Sequence, residues 1–456
     1  MIWTEAAKGV LQSPTGRWTA PTEANVSFVA GIGQRLIETG VIRQIQDVEI
    51  VTSPQPVYAS VILQGGHYPN GHTLVPRICG GSGFTPDEAR IRAYGEAAER
   101  YCAALYDEQK LQLASRQHIG GNATSPHSFV LYSKEQYLLP GFEYRPFLDD
   151  SQVNWVEGFS LTHQKPVFVP AAFVYLPYWP TGGETAIGLA TSTGLACGAS
   201  LLEATLRALM EVVERDAIMH MWLLQHAGRR IEANTCQSDR VKQFVTSTEH
   251  GALRLFDITT DLEVPTRFAL LTDMYRGRSL VSCGAATDWD ASAAEEKAVR
   301  EAVVLRRAVE KIIRTNPPRN YGKDYEKVRE LEDHINLFTN PEMIQALAFL
   351  TGMSETPEPE DLSTMAGRSA ALQLESCIEL LAEQGLETIV VDITRPEVAE
   401  CGLCVVRVIV PGTIPLSFGA RYVCAGGSRL VEAARASGRL SRSGRLQFNP
   451  VPHPFA

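Results

Sequence analysis

The chain has 456 residues, of which 45% are apolar, so it can bury a large core divided into about two to four domain-sized units. The net charge of −10 argues against a general nucleic-acid binder, because nucleic-acid phosphates attract basic surfaces. The N-terminus lacks a basic segment followed by an apolar core, and no apolar run is long enough to span a bilayer. We therefore expect a cytoplasmic protein without membrane or nucleic-acid partners.

The first 75 residues predict one amphipathic helix and two strands. The helix is expected around Glu23 to Thr39, and the strands at the runs VEIVT and VYASVIL. We expect residues 1–75 to form an adaptor or docking region.

Two matched helices come next. The run GFTPDEARIRAYGEAAER (Gly83 to Arg100) recurs 115 residues later as GASLLEATLRALMEVVER (Gly198 to Arg215). On a helix, the repeated charged residues of each copy fall within about 80° of one another. These stripes are Glu88, Arg92, Glu96 and Glu99 in the first copy, and Glu203, Arg207, Glu211 and Glu214 in the second.

The stripes admit two interpretations. They could be solvated faces with i,i+4 ion pairs, or Arg100 and Arg215 could neutralise Glu96 and Glu211 in a buried network. The second copy is apolar over most of its remaining surface, which predicts a largely buried helix. Both copies also begin at glycines, where helix-start N–H groups could face an anion. Carboxylates, arginines and helix starts together suggest Mg²⁺ bridging to a polyphosphate.

The rest of the chain alternates strands and helices. An aromatic, proline-rich stretch separates the matched helices, and a strand meander (RLFDIT, TRFALLTDMY, LVSCGAATD) follows them. A third helix, Ala293 to Lys311, is a degenerate copy in which Val304 replaces the second glutamate. Residues 315–361 resemble an insertion with a helix around Lys327 to Leu337.

The last part of the chain predicts a βα-type closing unit. A helix from Ser369 to Gln384 is expected to end at a Gly385 C-cap, and the strands ETIVVDIT and VVRVIV follow it. The tail from Leu440 onward carries few structure signals. Altogether we predict a mixed α/β (α+β) protein with internally duplicated helix-on-sheet halves, whose two carboxylate sets surround one shared nucleotide site.

Known nucleotide and nucleophile motifs are missing from the sequence. It contains no GxxxxGK[ST], no GxGxxG after a strand, no GxSxG and no close histidine pair on one helix face. Most of the nine scattered cysteines are predicted to be buried thiols. Cys401 and Cys404 have the spacing of a zinc or redox half-site but lack a second pair. Clustered glutamates repel one another unless cations are present, so they are expected to hold Mg²⁺.

The run STGLACGASLLEATLRALMEVVERDA (Ser192 to Ala217) resembles the signature of the YcaO family, and EAAERY (Glu96 to Tyr101) resembles its first half. The run from Asp392 to Gly412 resembles the family's closing unit. The resemblance covers residues 76–430, the expected catalytic domain with its insertion at about 315–361. The terminal PVPHP, within the tail at residues 431–456, is similar to the C-terminus of SagD-like azoline-forming cyclodehydratases.

This resemblance implies an ATP-dependent enzyme that acts on a ribosomally made precursor peptide. A Cys, Ser or Thr side chain attacks the preceding amide carbonyl, ATP phosphorylates the oxyanion, and phosphate leaves to give a thiazoline or oxazoline. The implied partners are the precursor peptide, an E1-like leader-binding protein, a flavin dehydrogenase of the same complex and a second copy of the chain. The alternatives are thioamide or amidine formation and a non-catalytic docking scaffold.

The resemblance also implies site residues. The implied Mg²⁺ ligands are Glu96, Glu99, Glu211 and Glu214. The positions expected to contact ATP comprise these glutamates together with Ser82, Arg100, Glu203, Arg207 and Arg215. The tail is expected to reach the active site and to place catalytic groups through Pro450, Pro452, Pro454 and Ala456. Ser82 stands where the family often has a Lys, and Arg92 where a small hydroxyl residue is common.

Overall fold

The computed structural model describes residues 26–50, 55–65, 78–247, 251–351, 365–436 and 448–455. The helices are α1 Val26–Glu38, α2 Pro86–Ala104, α3 Arg116–Ile119, α4 Lys134–Tyr137, α5 Leu201–Leu223, α6 Asp239–Thr246, α7 Ala291–Thr315, α8 Leu331–Leu337, α9 Ala348–Thr351, α10 Ala370–Glu383, α11 Pro396–Ala399 and α12 Arg429–Ala436. The strands are β1 Ile42–Ile50, β2 Val57–Gln64, β3 Ile78–Gly83, β4 Gln112–Ala114, β5 Val153–Ser160, β6 Lys165–Pro170, β7 Leu195–Gly198, β8 Arg229–Ile231, β9 Ala252–Asp257, β10 Thr266–Tyr275, β11 Arg278–Thr287, β12 Ile389–Asp392 and β13 Cys404–Ile409.

The chain divides into two compact units. The first consists of Met1–Glu49, Tyr58–Val212 and Ser369–Thr413, and the second of Ile50–Val57, Val213–Arg368 and Ile414–Ala456. The first unit holds a three-stranded sheet of order β1-β2-β3 and a six-stranded sheet of order β4-β5-β12-β13-β7, with β6 paired to β5. The second unit holds a four-stranded sheet of order β11-β10-β9-β8, whose neighbours pair antiparallel.

The helix α2 packs against β3 and β7 through a face of small residues. Ala89, Ala93 and Ala97 are fully buried on this face. Alanine has the highest intrinsic helix propensity and lets a neighbouring backbone approach closely. The alanines therefore bring the helix close to the strands, and its glutamates come close to strand backbone N–H groups.

The predicted repeat is confirmed by the local structure of its three copies. In each copy a strand leads into a helix: β3 into α2, β7 into α5 and β11 into α7. Thr85, Ser200 and Asp290 stand at equivalent positions, and their side chains accept hydrogen bonds from the backbone N–H groups of Glu88, Glu203 and Ala293. Such side-chain caps satisfy amide groups that have no partner within the helix. The third copy is thus a strand and capped helix like the other two.

Gly83 and Gly198 are also equivalent in the repeat. A Cβ atom at Gly198 would stand 2.6 Å from the backbone nitrogen of Ala204. At Gly83 it would approach the nitrogen of the equivalent Ala89 to 2.7 Å. Both distances are shorter than any real Cβ contact. Glycine is therefore required here because the backbone turns tightly from strand to helix.

Most predicted elements are confirmed with shifted ends. The first helix ends at Glu38, one residue before the expected Thr39, and residues 23–25 lie outside the described residues. The helix in the insertion begins at Leu331 instead of Lys327 and is followed by a 3-10 turn over Pro341–Leu347. The acidic run SETPEPED also lies outside the described part. Gly385, with φ +73°, terminates α10 as predicted, and Leu386 N–H donates to Leu381 O at 2.9 Å.

All nine cysteines are buried free thiols, whereas the sequence predicted this for most of them. Cys401 Sγ–H donates to the carbonyl of Glu397 at 3.3 Å, and Cys404 lies within β13. Within the described ranges, no helix is long and apolar enough to cross a membrane.

Candidate functional site

In the first unit, Glu96 lies on α2 beside the glycine-rich strand β3. Its carboxylate accepts a hydrogen bond from the backbone N–H of Gly80 at 2.8 Å. Arg100, one turn further along the helix, pairs with the other carboxylate oxygen at 3.5 Å. Both side chains are about one-third exposed, at 33% and 28%. The pair therefore faces solvent in part and can be reached by a ligand.

Glu99 lies deeper than Glu96, and the backbone N–H of Cys197 in β7 donates to it at 2.8 Å. Burial, together with the nearby Glu211 and Glu96 carboxylates, raises the pKa of Glu99 to about 8. At neutral pH the carboxyl therefore holds a proton in the absence of a cation. We define Glu96, Glu99, Arg100 and Glu211 as the first carboxylate cluster.

This pKa predicts how stability depends on pH without metal. The folded chain keeps the Glu99 proton up to about pH 8, whereas the unfolded chain loses it near the ordinary value of 4.5. The free energy of unfolding therefore falls as pH rises between these values. Glu99→Gln removes this loss of stability at high pH and keeps an acceptor for Cys197 N–H. We expect the variant to be more stable than the wild type at pH 8 by about 2–4 kcal/mol, and the difference to shrink toward pH 5.

Urea unfolding in EDTA at pH 5, 7 and 8.5 measures this difference. Glu157→Gln, which removes an exposed glutamate of β5, is the matched control for losing a carboxylate at the surface. Wild type and Glu99→Gln curves that coincide at every pH would contradict the raised pKa.

The arginines of the stripes contact strand carbonyls. Arg92 Nη1 donates to the carbonyl of Ser82 at 2.7 Å, and Arg207 Nη1 to that of Cys197 at 3.4 Å. Ser82 and Cys197 are equivalent positions of the repeat, so both arginines tie their helix to the preceding strand. Arg92 also pairs with Glu88 at 3.2 Å, with both side chains 43% exposed. This part of the stripe is a solvated i,i+4 ion pair.

Glu203 and Glu211 occupy the first and third turns of α5. The backbone N–H of Glu203 is capped by Ser200 Oγ at 3.2 Å, and its side chain is half-buried. The Glu211 side chain is also half-buried, and its charge acts on Glu99. Of these two glutamates, Glu211 therefore joins the first carboxylate cluster.

Sequence reasoning missed Arg407, a buried guanidinium in β13 of the first unit. Its Nε, Nη1 and Nη2 atoms donate to backbone carbonyls at 2.6–2.8 Å. The acceptors are the carbonyls of Phe173, Thr193 and Thr191. Burial lowers its pKa to about 10, and the negative charge of Glu211 opposes this shift. The arginine thus supplies positive charge to the first carboxylate cluster and fixes the backbone that leads into β7.

In the second unit, the Glu214 carboxylate is almost fully buried, with its side chain 2% exposed. Lys297 Nζ lies 3.0 Å from one oxygen, and Arg215 Nη2 lies 3.7 Å from the other. Burial raises the pKa of Glu301 on α7, Lys297 opposes the shift, and Glu214 adds to it. We define Glu214, Arg215, Lys297 and Glu301 as the second carboxylate cluster.

Lys297 was missed as a site residue although the sequence carried a signal for it. It stands in the third copy where Arg92 and Arg207 stand in the first two, one turn before Glu301. A basic residue four positions before a glutamate is therefore common to all three copies. The equivalence predicts a charge at this place but not its pairing with Glu214, 83 residues away in the chain.

The C-terminal tail is also buried in the second unit. Pro450 is exposed, whereas Pro452 and Pro454 are buried, and Phe455 is 3% exposed. The Arg215 guanidinium lies over the Phe455 ring, with its central carbon 4.7 Å from the ring centroid. The tail therefore reaches the second carboxylate cluster. Ala456 lies outside the described residues.

The tail is held without helix or sheet pairing. Its prolines have no N–H groups that would need partners on burial. Three side chains donate to its carbonyls: Trp222 to Val451 at 2.7 Å, His334 to His453 at 2.8 Å, and Cys283 to Pro454 at 3.3 Å. These three donors come from segments that lie far apart in the sequence, and sequence reasoning missed them.

The donor chemistry of both clusters fits Mg²⁺, which prefers carboxylate oxygens. Among the described residues, however, no three His, Cys, Asp or Glu side chains converge as a metal site would require. The reason is visible for three of the four predicted ligands. Glu96 and Glu99 accept hydrogen bonds from strand N–H groups, and Glu214 pairs with Lys297. The predicted ligands and the single shared site stay predictions.

Comparison with known proteins gives a family and a fold. The family model described as YcaO cyclodehydratase, ATP- and Mg²⁺-binding, matches residues 80–414. An uncharacterised protein of Methanothermobacter thermautotrophicus is 30% identical over 405 residues, which cover 86% of this chain and 93% of that protein.

Solved structures share the fold. A heterocyclase in complex with substrate and cofactor matches with a TM-score of 0.73 and 21% identity over 93% of this chain. The chain spans 57% of that heterocyclase's length. YcaO from Methanopyrus kandleri, bound with AMPPCP and Mg²⁺, matches with a TM-score of 0.59 and 22% identity, covering 85% of this chain and 90% of that one. The E. coli microcin synthetase McbBCD complex matches with a TM-score of 0.58 and 14% identity, covering 90% and 96%.

The mixed α/β fold predicted from the sequence is confirmed by these structures. The family match covers well over half of the chain and includes both carboxylate clusters except for the tail beside them. The chain therefore belongs to the YcaO cyclodehydratase family of ATP- and Mg²⁺-binding enzymes.

Proposed function

We propose that this chain is a peptide cyclodehydratase that converts Cys, Ser or Thr residues of a ribosomally made precursor peptide into thiazolines or oxazolines. The observation that carries the proposal is the proline-rich tail, which places Phe455 against Arg215 beside the buried Glu214. A non-catalytic scaffold has no need for such a cluster, because buried carboxylates cost free energy unless they are paired or bind a cation.

The proposed reaction has three steps. The substrate thiol or hydroxyl loses its proton to solvent and attacks the carbonyl carbon of the preceding amide, which closes the five-membered ring and turns the amide oxygen into an oxyanion. That oxygen takes the γ-phosphoryl group of ATP, and ADP leaves. The carbon–oxygen bond then breaks, the amide oxygen departs as part of the phosphate, and the amide nitrogen loses its proton to solvent as the carbon–nitrogen double bond of the ring forms. One ATP is consumed for each ring.

Residues of both clusters have proposed roles in holding the nucleotide. Glu96, Glu99, Glu211 and Glu214 would hold Mg²⁺, which shields phosphate charge when bound. Glu203, Ser82 and Arg207 complete the set that we propose near the nucleotide.

Two arginines are candidates for phosphate contacts because each is oriented by a glutamate. Glu96 orients Arg100, while Glu214 and the Phe455 ring orient Arg215. A guanidinium that is already held in place loses less entropy when it binds a phosphate.

The tail segment from Pro450 to Pro454 would order the active site. Its prolines keep the extended backbone at low entropic cost. The tail also favours cyclodehydration over thioamide or amidine formation, because its PVPHP sequence resembles the terminus of azoline-forming members.

The proposed partners are the precursor peptide and a leader-binding protein of the E1-like kind. A flavin dehydrogenase in the same complex and a homodimer are further candidates. The matching McbBCD structure is a multi-protein synthetase complex, which supports partner proteins. We propose the cytoplasm as the location, because nine free cysteines suit a reducing compartment.

A mass measurement tests the proposal. The full-length protein is incubated with Mg-ATP, a candidate precursor peptide and its leader-binding partner, and the peptide is then weighed. We expect a loss of one water mass per ring, with one phosphate released for each ring. A gain equal to the oxygen-to-sulfur difference would instead indicate thioamide formation. An unchanged peptide without ATP turnover would instead indicate a non-catalytic docking scaffold. Omission of Mg²⁺ is the matched control.

A further inference from the structure

His334 is a buried histidine on α8, outside the repeated helices, and is 1% exposed. Both nitrogens of its ring form hydrogen bonds with the backbone. Nδ1 lies 2.8 Å from the carbonyl of His453, and the backbone N–H of Gly419 donates to Nε2 at 2.9 Å. Since a carbonyl can only accept, Nδ1 carries the proton and Nε2 is the acceptor. The ring is therefore neutral and uses both of its nitrogens.

The tail residue that His334 contacts is itself anchored. His453 is 2% exposed, and its Nε2–H donates to the carbonyl of Ser417 at 2.8 Å. The two imidazole rings lie 4.5 Å apart between centroids. His334 and the segment around Ser417 therefore hold the tail at His453 from two sides.

The position of His453 decides where Phe455 lies. An extended chain advances about 3.3 Å per residue, so a shift at His453 passes almost undiminished to a residue two positions further on. Phe455 supports the Arg215 guanidinium, and Arg215 pairs with Glu214. The other two side chains that donate to carbonyls of the tail fix the position of Phe455 less firmly. Trp222 acts at Val451, four residues before Phe455, and the Cys283 thiol is a weak donor.

We propose that His334 is a positioning residue. Its hydrogen bond to the His453 carbonyl fixes the tail in the position from which Phe455 supports Arg215. The effect on turnover rests on the proposed cyclodehydratase function. The effect on the tail itself does not.

Two variants separate the two hydrogen bonds of the ring. In His334→Asn the amide nitrogen takes the place of Nδ1, so it keeps the bond to the His453 carbonyl and loses the acceptor for Gly419 N–H. In His334→Gln the side chain reaches the place of Nε2, so it keeps an acceptor for Gly419 and loses the bond to the tail. Each variant loses one buried hydrogen bond, so we expect both to lower Tm by similar amounts.

The expected results differ for the tail and for turnover. His334→Gln should lower kcat of peptide-dependent ATP turnover by about 10- to 100-fold at nearly unchanged KM for ATP, because a small displacement of a catalytic group is costly. His334→Asn should stay within about threefold of the wild type. Equal kcat values for the two variants, or losses of kcat that follow Tm in both, would overturn the positioning role.

Hydrogen exchange gives a readout that needs neither ATP nor peptide. In the full-length protein, the His453 and Phe455 amides should exchange at least about tenfold faster in His334→Gln than in His334→Asn or the wild type. Equal exchange in the two variants overturns the proposal. Faster exchange in His334→Gln together with a wild type that never modifies a peptide would support the positioning role and reject the proposed function.

Discussion

Glu214→Gln is expected to lower peptide-dependent ATP turnover at least about 100-fold, because a buried carboxylate that binds Mg²⁺ loses its charge. The substitution keeps the volume of a side chain that is only 2% exposed, so the packing around α5 is retained. Lys297 loses its ion pair with Glu214, but its side chain is 43% exposed and stays solvated. We therefore expect the free energy of unfolding to change by only about 1 kcal/mol. Activity and stability should thus respond separately.

Phosphate release with precursor peptide, together with thermal unfolding, measures this prediction. Glu310→Gln is the matched control, because Glu310 is a largely buried glutamate of α7 with ion pairs to Arg306 at 3.1 Å and to Arg307 at 3.0 Å. It lies outside the second carboxylate cluster, so its variant should keep turnover within about twofold. Full turnover by Glu214→Gln would show that Glu214 is not a metal ligand.

Gly81→Ala is expected to destabilise the first unit by about 3 kcal/mol or more, because the new methyl group has no room. A Cβ atom at Gly81 would overlap the backbone nitrogen of Ala93 and the carbonyl oxygen of Ala89 in α2. Backbone atoms cannot rotate away as a side chain can, so β3 and α2 must separate. The separation also moves Gly80 N–H away from Glu96, so Mg-ATP affinity should fall with stability.

Gly80→Ala is the control for this prediction. A Cβ atom at Gly80 would meet only the carbonyl oxygen of Ser60, at an ordinary 3.6 Å. The variant keeps the N–H that donates to Glu96, so we expect its stability to change by less than about 1 kcal/mol. Urea unfolding and Mg-ATP binding of both variants provide the test. Equal stability of the two variants would mean that the close approach of β3 to α2 is not required.

The two interpretations of the charged stripe both proved partly right. Glu88 and Arg92 form an exposed ion pair, as the solvated interpretation predicts, whereas Glu214 is almost fully buried. Helical periodicity could not separate these cases, because it places residues on a face but does not say what covers that face. Arg100 pairs with Glu96, as the neutralising interpretation predicts, whereas Arg215, which that interpretation places beside Glu211, pairs with Glu214.

The C-terminal tail also shows what a sequence pattern cannot predict. Its prolines predicted an extended segment, and the structure confirms a segment without helix or strand. Nothing in PVPHP indicated that His453 would be buried or that His334 would hold its carbonyl. These partners lie 119 residues apart in the chain, so only folding brings them together.

The sequence alone determined the two matched helices, the degenerate third copy and the type of charged residue on each helix. These features depend on residues within about one or two helical turns of one another, so local periodicity specifies them. Only the tertiary structure decided which carboxylates are buried, that Lys297 pairs with Glu214, that Arg407 supplies charge to the first cluster, and where the tail lies. Burial and long-range partners depend on how distant segments pack, and a single sequence carries little direct signal of that packing.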